Sequence, residues 1–122
     1  MGAAPGTRIA LGSDPGTAIV GYAVVTARGD ELSMIACNVI TTPAKMPLAE
    51  RLQQIYARLV EIIGKYEPQE AAVEELFFAK NARTAMTVGQ ARGVAMLALA
   101  NGGLSISEYT PKQVKQAVTG YG

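Results

Sequence analysis

A turn of Asp14-Pro15-Gly16-Thr17 stands between two apolar runs, Arg8 to Ser13 and the Val- and Ile-rich Ala18 to Ala27, and it constrains the fold more than any other stretch. Pro presets the turn backbone, Gly reaches conformations closed to other residues, and Asp hydrogen-bonds its own main chain, so the pattern reads as a β-hairpin. Arg28-Gly29-Asp30 is the next turn signal, and Glu31 to Thr41 reads as a third strand with Leu32, Ile35 and Val39 loosely alternating. Three antiparallel strands therefore come first.

Pro43 to Pro47 breaks the sheet, and from Leu48 the apolar period changes. Leu52, Ile55, Leu59, Ile62 and Tyr66 recur at three- and four-residue steps, one face of an amphipathic helix that ends near Glu67-Pro68. Ala71 to Leu76 reads as a fourth strand carrying Glu74 and Glu75, and Ala79 to Ala100 as a second helix. On that helix Gly89 and Gly93 lie four apart among Ala and Val, small residues that let a neighbour approach closely. Asn101-Gly102-Gly103 stops it, Leu104 to Tyr109 is a fifth strand, and Thr110-Pro111-Lys112-Gln113 opens a further helix with an N-cap, a Pro at the first helical position and a capping-box Gln. Strands followed by strand–helix–strand crossovers define an α/β layered fold with a mixed sheet.

The chain has 122 residues, 49% hydrophobic and 17% charged, enough for one compact domain. Residues 1–6 read as a disordered tail with neither a signal peptide nor a myristoylation pattern, and 7–122 as the domain. A formal net charge of +1 gives no global field for nucleic acid, so any basic surface must arise from local clustering. With no histidine and a single cysteine, His-based triads, Cys/His zinc sites and internal disulfides are excluded. Cys37, inside the apolar stretch Met34 to Val39, is expected to be a small core residue. Because no apolar run approaches the roughly 18 residues of a membrane span, the chain is expected to be soluble and cytoplasmic, without a membrane partner.

Most of the carboxylates fall in turns or on polar helix faces: Asp30, Glu31, Glu50, Glu61, Glu67 and Glu70 need no role beyond solubility. Asp14 and Glu74 differ, because each ends an apolar strand, where a sheet presents side chains to a cleft. Glu75 alternates with Glu74, so only one of the two shares a face with Asp14. Two carboxylates about 4 Å apart repel by about 4 kcal/mol at an effective dielectric near 20, and a divalent cation relieves that repulsion. Oxygen ligands alone select hard ions such as Mg²⁺ or Mn²⁺, whose chemistry at paired sites is phosphoryl transfer. Two other readings stay open at this point. A turn Asp can simply cap its own backbone, and Asp-x-Gly-Thr between strands also resembles the first phosphate loop of actin-like ATPases.

The ordered set Leu11-Gly12-Ser13-Asp14-Pro15-Gly16, Gly21-Tyr22, Val73-Glu74, Phe77, Ala79-Lys80-Asn81, Gly89-Gln90-Ala91-Arg92-Gly93, Tyr109 and Gln113-Val114-Lys115 resembles the RuvC family of Holliday-junction resolvases, from about Ile9 to the last residue. The resemblance implies an RNase H-like mixed five-stranded sheet flanked by helices, a homodimer, and Mg²⁺-dependent endonuclease action on four-way DNA junctions, with junction branch-migration machinery as a further partner. Asp14 matches the family's first-strand metal ligand and Glu74 its fourth-strand acidic ligand, which chooses Glu74 over Glu75. Phe77 matches an aromatic that packs on junction bases. Lys80, Asn81 and Arg83 at the start of the long helix, and Lys112 and Lys115 at the start of the last one, become expected phosphate contacts, while Arg92 is a packing, dimer or DNA residue.

Two departures from the family pattern bear on these expectations. Ser13 stands where the family carries a bulky apolar residue, which costs local stability and adds a hydroxyl that needs a partner. The family also completes its site with two acidic residues on a C-terminal helix beyond the Gly-Tyr-Gly stretch. Without that catalytic helix the 122 residues alone are expected to cleave weakly or not at all, with a non-catalytic dimer that binds branched DNA as the alternative.

Overall fold

The computed structural model describes residues 8–14, 19–29, 31–74 and 82–109. β1 (Arg8–Asp14), β2 (Ile19–Arg28) and β3 (Glu31–Thr41) form an antiparallel meander. α1 (Leu48–Tyr66) leads to β4 (Glu70–Glu74), and α2 (Ala82–Asn101) to β5 (Ser105–Tyr109). The sheet order is β3-β2-β1-β4-β5, with β4 parallel to β1 and β5 parallel to β4. The expected mixed sheet is thus present, and each element lies within a few residues of its sequence reading. Residues 75–81 and 110–122, with the end of the Ala71 to Leu76 run and the last helix, lie outside the described residues.

Both helices pack on one face of the sheet. Ile55, Leu59 and Ile62 of α1 and Ala91, Ala95, Ala98 and Leu99 of α2 meet Val20, Val24, Ile40, Ala71 and Val73 in one buried cluster. The alternation of β4 explains its share of this core, since Ala71 and Val73 are buried two residues apart. On α2 the buried face consists mostly of alanines. That lets the helix lie close to α1, whereas beside Gly89 and Gly93 no atom of the described residues outside the helix's own neighbouring backbone comes within 4 Å of where a Cβ would stand. Close approach through those two glycines is therefore not used between the described elements.

The helix ends follow local chemistry. At the end of α1, Glu67 adopts φ 51, its N–H donates to the Ile63 carbonyl at 2.9 Å, and Pro68 prevents further helix. At the end of α2 the N–H groups of Gly103 and Leu104 donate to the carbonyls of Ala100 and Leu99 at 3.0 and 3.2 Å, with Gly103 at φ 80. This is a Schellman closure, with buried Leu104 and Leu99 supplying the apolar contact that accompanies it. Further ties come from Tyr56, whose hydroxyl accepts from Asn101 Nδ2 at 2.8 Å, and from buried Thr42, whose Oγ1 accepts from Arg51 Nε at 3.0 Å. Among the described residues no helix is long and apolar enough to cross a membrane.

Cys37 does not belong to the core. Its strand partner is Ala23, on the face turned away from the helices, and its side chain is exposed. A bulge at Val24/Val25 shifts the β3 register, so Ala36 opposite Val24 takes the helix-side position that the apolar run alone did not locate.

Candidate functional site

Register brings the two chosen carboxylate positions together. Ser13 pairs with Val73 on the neighbouring parallel strand, so Asp14 and Glu74 are the next residues along β1 and β4, and each is the last of its strand. Adjacent strands lie about 4.8 Å apart, which sets the spacing of the two backbones here. Both positions belong to the face opposite the one buried by Val73, as side-chain alternation requires. On that face Asp14 stands opposite Gly21, and Glu74 opposite Tyr109. The same face continues with Gly12, Ala23 and Ala72, then Ser107, so small residues floor the approach to the carboxylate end.

Helix direction places a third component there. The last turn of α2 closes onto Leu104, and Ser105 N–H donates to the Gln69 carbonyl at the amino end of β4. A helix of 20 residues spans about 30 Å, so the first turn of α2, which contains Arg83, stands at the opposite, carboxyl end of the sheet. Phe77, Lys80 and Asn81 lie in 75–81, and Lys112 and Lys115 in 110–122, outside the described residues, as does Glu75.

Arg92 takes a role that sequence reasoning left open. Its Nη2 lies 3.1 Å from Glu108 Oε1, and its Nη1 lies 3.2 Å from Met96 Sδ. The signal that finds this pair is the alternation of β5, which sets Glu108 beside Val73 on the helix-covered face. A half-exposed carboxylate at that position faces α2, and Arg92 is the cation that α2 sets beside it.

A mixed sheet in this order, with carboxylate positions at the carboxyl ends of its two central parallel strands and helices across one face, defines an RNase H-like α/β protein. Comparison with known proteins narrows the class. A family model described as crossover junction endodeoxyribonuclease RuvC matches residues 10–122. The chain belongs to the RuvC family. It is 56% identical over 112 residues to the crossover junction endodeoxyribonuclease RuvC of Pelotomaculum thermopropionicum, covering 92% of this chain and 68% of that one. With the Chloroflexus aggregans protein of the same name it shares 58% over 113 residues, 93% of this chain and 69% of the relative. Among solved structures, T. thermophilus RuvC in complex with Holliday junction substrate superposes with a TM-score of 0.82 at 32% identity, over 92% of this chain and 70% of that one. Family membership sets aside the actin-like reading of the Asp-Pro-Gly-Thr turn.

Proposed function

We propose that residues 7–122 form the RNase H-like domain of a metal-dependent endonuclease that resolves four-way DNA junctions, with Asp14 and Glu74 as metal ligands. The observation that carries this reading is the register of β1 and β4, which ends both strands side by side in a carboxylate. The donor set fits a hard cation. Two carboxylate positions on neighbouring strands, in a chain without histidine, offer oxygen and little else, and Mg²⁺ with Mn²⁺ as substitute is the matching ion. When bound, such an ion supplies an activated water and stabilises the leaving oxygen of a phosphodiester.

The chain's own residues supply the rest. Asp14, in register with Gly21, and Glu74, in register with Tyr109, stand at strand ends whose preceding residues pair with each other, so folding meets the cost of placing the two positions. Phe77 stacks on bases unpaired at the crossover. Arg83, at the carboxyl end of the sheet, together with Lys80, Asn81, Lys112 and Lys115, contacts phosphates and sets the junction against the carboxylates. Such contacts give affinity without base readout, as suits a substrate recognised by shape.

The family resemblance calls for two more acidic residues on a C-terminal helix beyond the Gly-Tyr-Gly stretch, and the chain covers 68% of the Pelotomaculum relative. Nicking of a labelled four-way junction with Mg²⁺, by the chain joined to the C-terminal remainder of the Pelotomaculum relative, tests this reading. The 122 residues alone bind the junction and cleave it weakly or not at all.

Two copies acting together would nick two strands. A homodimer is supported by the exposed stripe of Met86, Gly93 and Leu97 on α2, where Met86 is 66% and Leu97 53% exposed and Gly93 has room beside it. An apolar groove lined by Leu52, Tyr56, Val94 and Leu97 continues that stripe between the helices. Junction branch-migration machinery as a partner and a cytoplasmic location complete the proposal.

A further inference from the structure

Among the described residues β5 is the edge strand of the sheet, five residues paired to β4 on one side, and its carboxyl end meets the site. Edge strands fray from their ends, because half of their backbone groups have no ladder partner. Tyr109, the last residue of β5, is the register partner of Glu74, the last residue of β4. One residue earlier, Glu108 is bound by Arg92 from the middle of α2 at 3.1 Å. We propose that this ion pair is a positioning device: Arg92 clamps the edge strand to α2 at Glu108 and thereby fixes the Tyr109–Glu74 pair, which holds Glu74 at its distance from Asp14. The proposal rests on the reading of Glu74 as a metal ligand.

Three observations carry it. First, the guanidinium contacts Glu108 on the strand and Met96 one helical turn on, so one rotamer serves both contacts and little side-chain freedom is left to lose. Second, the Arg92 side chain is only 18% exposed and is engaged on the helix side of the sheet, which turns it away from phosphate binding on the other face. Third, β5 has no direct counterpart to the antiparallel meander that braces β1 from the other side, where Asp14 is paired to Gly21. Among the described residues β5 is the one strand on the outer flank of Glu74, and a directional contact fixes a strand's position along its axis better than apolar packing does. Because Glu108 is 45% exposed, solvent screens the pair and its effect is moderate.

The test uses the 122-residue chain, isotopically labelled, with Mn²⁺ alone as probe. Paramagnetic broadening of the Asp14 and Glu74 amides reports occupancy of the carboxylate pair, and hydrogen exchange of the Tyr109 amide reports fraying of β5. In Arg92→Met and in Glu108→Gln the Mn²⁺ midpoint rises about three- to fivefold and Tyr109 exchanges faster, while thermal unfolding stays cooperative. The charge exchange Arg92→Glu with Glu108→Arg returns both readouts toward the unaltered chain, which a purely packing role for Arg92 would not allow. Should Arg92→Met fail to fold, Glu108→Gln, equal in size and still on the strand, decides alone. Unchanged midpoint and exchange in a folded single variant overturn the proposal, and so does a charge exchange that restores neither. Asp14→Asn separates the two readings: if Mn²⁺ still broadens Glu74 equally in that variant, the carboxylate pair is not the metal site, and the Tyr109 exchange rates still decide the clamp.

Discussion

Ser13 on β1 stands in register with Val73 on the parallel strand β4, and the next residue of each strand is a carboxylate. Val73 is fully buried under the helices, so this one pair fixes which face is core and which carries Asp14 and Glu74. A slip of one residue in either strand would bury one of the two acids.

Ser13 itself occupies a helix-side position between Tyr22 and Val73, where the family prefers an apolar residue. Ser13→Val should raise stability by about 1 kcal/mol in urea unfolding through added apolar burial. A loss of stability instead would mean that the hydroxyl is hydrogen-bonded in the fold.

Leu59 and Val60 are neighbours on α1 with opposite fates, the first fully buried and the second 46% exposed. Leu59→Ala should cost about 2–5 kcal/mol by opening a cavity in the cluster shared with the sheet. Val60→Ala should change stability by less than about 0.5 kcal/mol. Chemical denaturation of the pair checks whether α1 packs in this rotation.

Two glycines on or after α2 should respond in opposite senses to alanine. Gly103 sits at φ 80, which a side chain rarely adopts, so Gly103→Ala should destabilise by about 1 kcal/mol or more. Gly93 lies within the helix with no other element of the described residues within 4 Å of an added Cβ, so Gly93→Ala should stabilise the isolated fold by about 0.5–1 kcal/mol. If copies pack through this stripe, the same change weakens self-association in sedimentation equilibrium. Unaltered association would place the dimer contact elsewhere.

Junction binding by phosphate contacts should weaken steeply with salt. Gel shifts of a four-way junction and a duplex across a salt series should give a junction preference at every concentration and a linear fall of log affinity with log salt. Lys112→Ala and Lys115→Ala should each reduce that slope by about one.

Much of this was legible in the residues. The switch of apolar period after Pro47 placed α1, and Asn101-Gly102-Gly103 marked the end of α2 because that geometry needs a glycine at φ 80. Asp14 and Glu74 were identifiable as strand ends, but their adjacency was not, since parallel pairing between β1 and β4 joins residues far apart in the chain. Cys37 departs from its expected core position for the same kind of reason. A loosely alternating strand leaves its faces undecided until a partner and a bulge fix the register, and here they put Cys37 on the exposed side. Arg92 among small residues reads equally as a packing, dimer or DNA residue, and only the fold brings Glu108 beside it.

The most direct test of the account is Asp14→Asn in the chain joined to the C-terminal remainder of its Pelotomaculum relative, assayed on a labelled four-way junction with Mg²⁺ for both nicking and binding. Removing one carboxylate charge while keeping the side chain's size should bring nicking to background and leave junction affinity unchanged. Nicking that persists at the unaltered rate would contradict the metal-ligand role of Asp14, and loss of junction binding together with nicking would make Asp14 a structural residue of the turn instead.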